Sequence, residues 1–164
     1  MATKPTAPPA ERISQSFTQL ADSAARLNAA SDELARAVAP VDAALKKLNL
    51  GVVAWHTYAG TQDQDGEFWN HRVGYAKVDG KWGLAISTVS GNVFHSGVYE
   101  DEEWLFNDAP RWMRIEAIDH IAELLEDLVK QADKVAADLQ KKTENARKLA
   151  EAIAVPPLNS QGRR

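Results

Sequence analysis

The chain has 164 residues and a mass of 18.0 kDa, enough for one domain with extensions. Its 45% hydrophobic and 26% charged residues are those of a folded soluble chain, and argue against wholesale disorder. The absence of cysteine excludes disulfides, thiol nucleophiles and Cys-based zinc sites, and a net charge of -4 leaves no overall basic field for nucleic acid.

Residues 1–9 hold Pro5, Pro8 and Pro9, with Lys4 as their only charge, and read as a flexible leader. No apolar stretch follows it, so neither a secretory signal nor a membrane span is expected. A cytoplasmic protein is the default expectation.

The first helical stretch runs over about 10–50. Its seam is Ile13, Phe17, Leu20, Ala24, Leu27, Ser31, Leu34, Val38, Val41, Leu45 and Leu48. Steps of four and three alternate without a slip, the heptad pattern of a helix packed lengthwise on another helix. Pro40 falls inside the run, off the seam, and predicts a kink rather than a boundary. Lys46 and Lys47 suit the negative end of the helix dipole, and Asn49 with Gly51 supplies the stop.

Residues 51–106 read as a three- to four-stranded antiparallel meander. Strands are expected at about 52–58, 68–78, 81–89 and 93–99, with Ser90-Gly91-Asn92 as the last turn. Asp79-Gly80 is a two-residue hairpin signal, which pairs Val78 with Lys81, Tyr75 with Leu84 and Val73 with Ile86. One face then carries Trp69, Val73, Tyr75, Trp82, Leu84 and Ile86 and should be the core face. The other carries Gly74, Ala76, Gly83, Ala85 and Ser87. Asp63-Gln64-Asp65-Gly66-Glu67 has half the pattern of a calcium loop. Thr61 and Arg72 stand where two of its acids belong, so it reads as a hairpin loop.

Residues 51–108 hold nine acids against Arg72, Lys77 and Lys81. Glu100, Asp101, Glu102 and Glu103 form a run between Tyr99 and Trp104. It reads first as a solvated loop and second as a docking patch for a basic partner. All five tryptophans, Trp55, Trp69, Trp82, Trp104 and Trp112, lie in this head or in the first turn of the following helix. They are expected to build its core, with Trp104 the first candidate for an exposed ring.

The second helical stretch runs over about 107–154, with Asn107 or Asp108 as N-cap and Pro110 in the first turn. Its seam is Ile115, Ile118, Ala122, Leu125, Val129, Ala132, Ala136, Leu139, Thr143, Ala146, Ala150 and Ile153. A second apolar line, Ile121, Leu128, Val135 and Leu149, lies beside it, with Leu124 on the far flank. That line is a candidate dimer seam, unless the sheet folds back over part of it. Residues 155–164 read as a flexible tail.

The expected fold is therefore α+β: two long antiparallel helices forming a hairpin or coiled-coil stalk, flanking the meander, in one elongated domain over 10–154. Phosphate loops, nucleophile elbows, zinc-protease motifs and dinucleotide fingerprints are missing from the sequence. No metal, cofactor or catalytic residue is assigned. The leading expectation is a non-enzymatic assembly protein. It forms a homodimer through the stalk and contacts a basic protein through Tyr99, Glu100, Asp101, Glu102, Glu103 and Trp104. A small-ligand or enzymatic head using His71, Arg72, Tyr75 and His95 is the alternative, and an acidic mimic of nucleic acid is the third reading. Direct nucleic-acid or membrane binding is not expected.

Overall fold

The structure, a computed structural model, describes residues 8–95 and 99–154. The chain divides into two units between Leu48 and Asn49. The leader and tail expectations fall, apart from Pro8 and Pro9, outside the described residues.

The first unit is helix α1, Pro9–Leu48. Pro9 takes the first helical position, where a missing N–H costs nothing. The helix continues through Pro40, although the Arg36 carbonyl loses its i+4 donor there. Asn49 ends it in the left-handed region (φ 47°), and Gly51 follows at φ 62°. Ile13, Phe17, Leu20 and Leu27, all on the heptad seam, are exposed.

The second unit opens with a four-stranded antiparallel sheet in the order β1-β2-β3-β4. The strands are β1 (Ala54–Gln62), β2 (Glu67–Val78), β3 (Lys81–Asn92) and β4 (Tyr99–Leu105). Asp79 and Gly80 both have positive φ (47° and 80°), as a type I′ turn requires. The three expected pairs are present: Val78 with Lys81, Tyr75 with Leu84, Val73 with Ile86.

Two expectations fail at the end of this hairpin. Ser90-Gly91-Asn92 is not a turn, because the register carries β3 on until Asn92 pairs with Glu67 and Gly91 with Phe68. The fourth strand is consequently not 93–99. It is β4, so the acidic run is a strand rather than a loop: Glu103 pairs with Ser87, Glu102 with Thr88, Asp101 with Val89 and Glu100 with Ser90. Twelve paired positions on each strand of the hairpin outweigh one local turn signal.

The 63–66 segment is a hairpin loop, as expected. Asp63 Oδ1 accepts hydrogen bonds from the amides of Asp65 (3.0 Å) and Glu67 (2.9 Å). Gly66 sits at φ 81°, and a Cβ there would meet the Phe94 ring at 2.3 Å.

After β4 the chain forms α2 (Arg111–Ile118) and α3 (Ile121–Ala154), so three helices replace the expected two. Pro110 is the N-cap, without a side-chain cap bond, in place of Asn107 or Asp108. The break between α2 and α3 contains neither Gly nor Pro. The amides of Asp119 and His120 both turn back to the Ala117 carbonyl, His120 at 3.1 Å, and tighten the backbone into a turn.

Helices α2 and α3 contact β1, β2 and β3. Val73, Tyr75, Leu84 and Ile86 of the sheet are buried, as are Met113 and Ala117 of α2 and Leu124 and Leu128 of α3. The bulky face is thus the core face, but apart from Tyr75 its buried side chains are not aromatic. None of the five tryptophans is fully buried, and Trp69 and Trp112 are the exposed ones, not Trp104. Among the described residues, no helix is long and apolar enough to cross a membrane.

Candidate functional site

The two faces of the sheet carry two different clusters. Arg72, Ser87 and Glu103 lie in one cross-strand row over β2, β3 and β4, on the face of small residues. Arg72 Nη2 donates to Ser87 Oγ at 2.7 Å and to the Asp101 carboxylate at 3.2 Å. Ser87 Oγ in turn donates to Asp101 Oδ1 at 2.8 Å. The Glu103 carboxylate stands 3.9 Å from the same guanidinium. Burial, and then the neighbouring Asp101 charge, hold the Glu103 carboxyl above its ordinary range, against the pull of Arg72. Trp55 covers the guanidinium from 4.8 Å. The ring fits because Gly74 lies beneath it: a Cβ there would meet Trp55 Cε3 at 2.2 Å.

Fully buried Ser87 both accepts and donates in this cluster, and no histidine is hydrogen-bonded to it. The group is a clamp that ties β4 to the sheet rather than an activated nucleophile. It also divides the acidic run. Strand alternation sends Asp101 and Glu103 to the Arg72 side, and Glu100 and Glu102, both exposed, to the opposite face. Trp104 lies on that opposite face, half-buried and paired with Ile86. Tyr99 pairs through its backbone with Gly91, and its side chain lies outside the described residues.

On the core face, a row of rings runs along one margin of the sheet. A β-bulge between Thr57 and Ala59 makes Tyr58 the extra residue, since Ala59 and not Tyr58 pairs with His71. Tyr58 stacks on His120 at 5.3 Å, and His120 on His56 at 5.9 Å. His71 stands 6.1 Å from Tyr58, 4.6 Å from Trp69 and 5.0 Å from Trp112. His56 Nδ1 is 2.9 Å from Asp127 Oδ2, and Lys130 Nζ donates to Asp127 Oδ1 at 2.9 Å. The Lys130 hydrogen bond, and then that of His56, hold the Asp127 carboxyl below the carboxylate range. Burial, with the Glu116 charge, pushes the Tyr58 hydroxyl up to about 12. Tyr58 Oη and His71 Nδ1 are buried without a hydrogen-bond partner.

The expected ligand set does not converge. His71 lies in the ring row, Tyr75 is buried in the core, Arg72 is on the other face, and His95 is exposed in the turn after β3 rather than on a strand. An open groove of about 610 Å³ beside β1 is lined by Tyr58, Phe68 and Asn70 and takes in none of the four. His56, Tyr58, His120 and Asp127 were not candidates on sequence. Only the bulge and the α2–α3 turn bring them together. Among the described residues, no three histidine or acidic side chains could hold a metal ion.

The expected dimer seam also divides. Leu128 is buried in the core with Leu124, Ile121 and Val135 are half-buried, and Leu149 is exposed. The sheet thus takes the stripe Ile121, Leu124, Leu128, Gln131 and Val135. The heptad seam of Leu125, Val129 and Leu139 lies one residue further round and is exposed. No family model, curated protein or solved structure matches the chain.

Proposed function

We propose that the protein is a non-enzymatic assembly module that self-associates through its helical seams and presents an acidic β head to a partner. The observation that carries this is the apolar heptad seam of α3, exposed from Leu125 to Ile153. Solvent-facing Leu125, Val129, Leu139 and Ile153, joined at heptad spacing by alanines and Thr143, are the pattern of a helix with a missing neighbour. Helix α1 carries a second heptad seam, exposed at Ile13, Phe17, Leu20 and Leu27 and buried at Val38 and Leu45. Light scattering over a wide concentration range tests the proposal. The expected result is a mass that rises to a multiple of 18.0 kDa; a constant monomer mass refutes it.

The head contributes an exposed edge strand with Glu100 and Glu102 on one face. A basic partner docking there would bind less tightly in salt, and less tightly still after Glu100→Gln with Glu102→Gln. Equal binding by that double variant would remove this part of the proposal.

A second reading, small-ligand binding at the ring row, is favoured by the unpartnered Tyr58 Oη and His71 Nδ1. Trp112, exposed beside His71, is its reporter. A small aromatic or hydrogen-bonding compound should raise the Tm of the protein, with the rise abolished by Trp112→Ala. A rise that survives the substitution would place the ligand elsewhere.

A further inference from the structure

We propose that the α3 helices of two copies of this chain pair antiparallel, centred on Leu139. This rests on the self-association proposed above and adds the surface and the orientation.

The surface follows from the two stripes on α3. The buried stripe faces its own sheet, and the exposed seam is offset from it by one residue, about 100° around the helix. A neighbouring helix can therefore lie along the seam without displacing the sheet. Val129 and Leu139 are 60% and 62% exposed there, and every residue from Ala136 to Ala154 is exposed. From Leu125 to Ile153 the seam is roughly 42 Å long.

The orientation follows from charge. From Ile121 to Asp138 the helix carries five acids against Lys130 and Lys134. From Leu139 to Ala154 it carries four bases against Glu144 and Glu151. An antiparallel pair lays each acidic half beside the other's basic half.

The seam agrees residue by residue. Antiparallel pairing about Leu139 sets Ala132 opposite Ala146 and Leu125 opposite Ile153, with Thr143, beside Ala136 of the other copy, the one polar member of the seam. On the line flanking the seam, Asp133 of each copy then faces Arg147 of the other, giving two symmetric opposite-charge contacts. A parallel pair instead sets Lys142 against Arg147 on both sides and leaves Asp133 facing leucine.

The second long helix makes a poorer occupant. Either flank of the α1 seam is made almost wholly of serine, alanine and asparagine, with Asp42 the one charge. It offers nothing to Arg147 over most of its length. A helix pair of this length buries an area near the lower bound of stable interfaces, so dissociation is expected near micromolar concentration.

Two sets of variants test this, all at exposed or half-exposed α3 positions where the head fold is not at stake. Arg147→Asp and Asp133→Arg should each weaken dimerisation about tenfold, and the two together should restore it to within roughly threefold. Arg147→Asp should instead strengthen a parallel dimer, by relieving Lys142, and that result overturns the proposal. The chain has no cysteine, so introduced thiols report contacts directly. Chains with Ala132→Cys should form a mixed disulfide with chains carrying Ala146→Cys. Ala146→Cys alone should not link to itself, because its two Cα atoms would lie about 20 Å apart. Self-linkage overturns the orientation while leaving self-association standing. A monomer at every concentration, as when α1 covers the seam within one chain, overturns both.

Discussion

Truncating two leucines on one apolar line of α3 should have opposite consequences. Leu128 and Leu149 both belong to the line Ile121, Leu128, Val135, Leu149. Leu128 is 3% exposed in the core of the head, whereas Leu149 is 67% exposed. Leu128→Ala removes a desolvated isobutyl group and leaves a cavity between α3 and the sheet. The core residues Leu124, Val73 and Ile86 are themselves buried and close-packed, which limits relaxation into it. The expected cost is about 3 kcal/mol, within the range for buried leucines. Leu149→Ala gives up only the partly buried third of the side chain, and should cost less than about 0.5 kcal/mol in the monomer. Urea unfolding followed by tryptophan emission, at a concentration where the chain is monomeric, measures both. Equal costs would show that the sheet does not select between the two positions. A small cost at Leu128 would mean that it is not a core residue of the head.

Three further outcomes follow from the sheet. Gly74→Ala should destabilise by about 2 kcal/mol, because the new methyl would meet both the Trp55 ring and the Ala54 carbonyl, 2.7 Å away; an unchanged urea midpoint would deny that contact. Glu103→Gln should be neutral or stabilising at pH 7. A carboxyl whose folded pKa is raised favours the folded state below its ordinary range and loses that contribution as pH rises through the folded value. A marked loss of stability at pH 7 on this substitution would show that Glu103 is needed as an anion. Asp127 has the opposite sign: its lowered pKa stabilises above the usual carboxylate range and stops doing so as pH falls through the folded value. Asp127→Asn should therefore lower the Tm by a few degrees at pH 6 and by less as the pH falls through the folded value, and a gap that widens in acid would contradict the sign.

The parts of the fold legible in the sequence are those set by local chemistry. Asp79-Gly80 specified the hairpin and its register because both residues readily take the positive φ of a type I′ turn, whose twist matches that of the strands. Asn49 and Gly51 marked the end of α1 for the same reason. The missed parts depend on distant partners. Ser90-Gly91-Asn92 is a good turn sequence that became strand because Glu67, Phe68 and Trp69 lie opposite. The α2–α3 break at Asp119-His120 leaves no trace in composition, and the heptad phase passes over it. The ring row was illegible for this reason: His120 reaches Tyr58 and His56 only because the helix breaks there and β1 bulges. The tryptophans misled because their number suggested a core. The core instead went to Val73, Leu84, Ile86, Met113 and Leu124, which fit between the sheet and two helices with no polar atom to satisfy.

The acidic run changes meaning once it is a strand. As a loop, four consecutive acids would project together and resemble a stretch of phosphates. As β4, they alternate. Asp101 and Glu103 point to Arg72, which takes up part of their charge, and Glu100 and Glu102 stand about 7 Å apart along the other face. Two acids at that spacing on one face can meet two basic side chains. Charge on β4 has a second consequence. An edge strand exposes unpaired backbone donors and acceptors, and like charges along it repel a second copy approaching edge to edge. The self-association we propose is thereby discouraged at the sheet edge and left to the helices, where the apolar seam of α3 and its opposed acidic and basic halves would favour it.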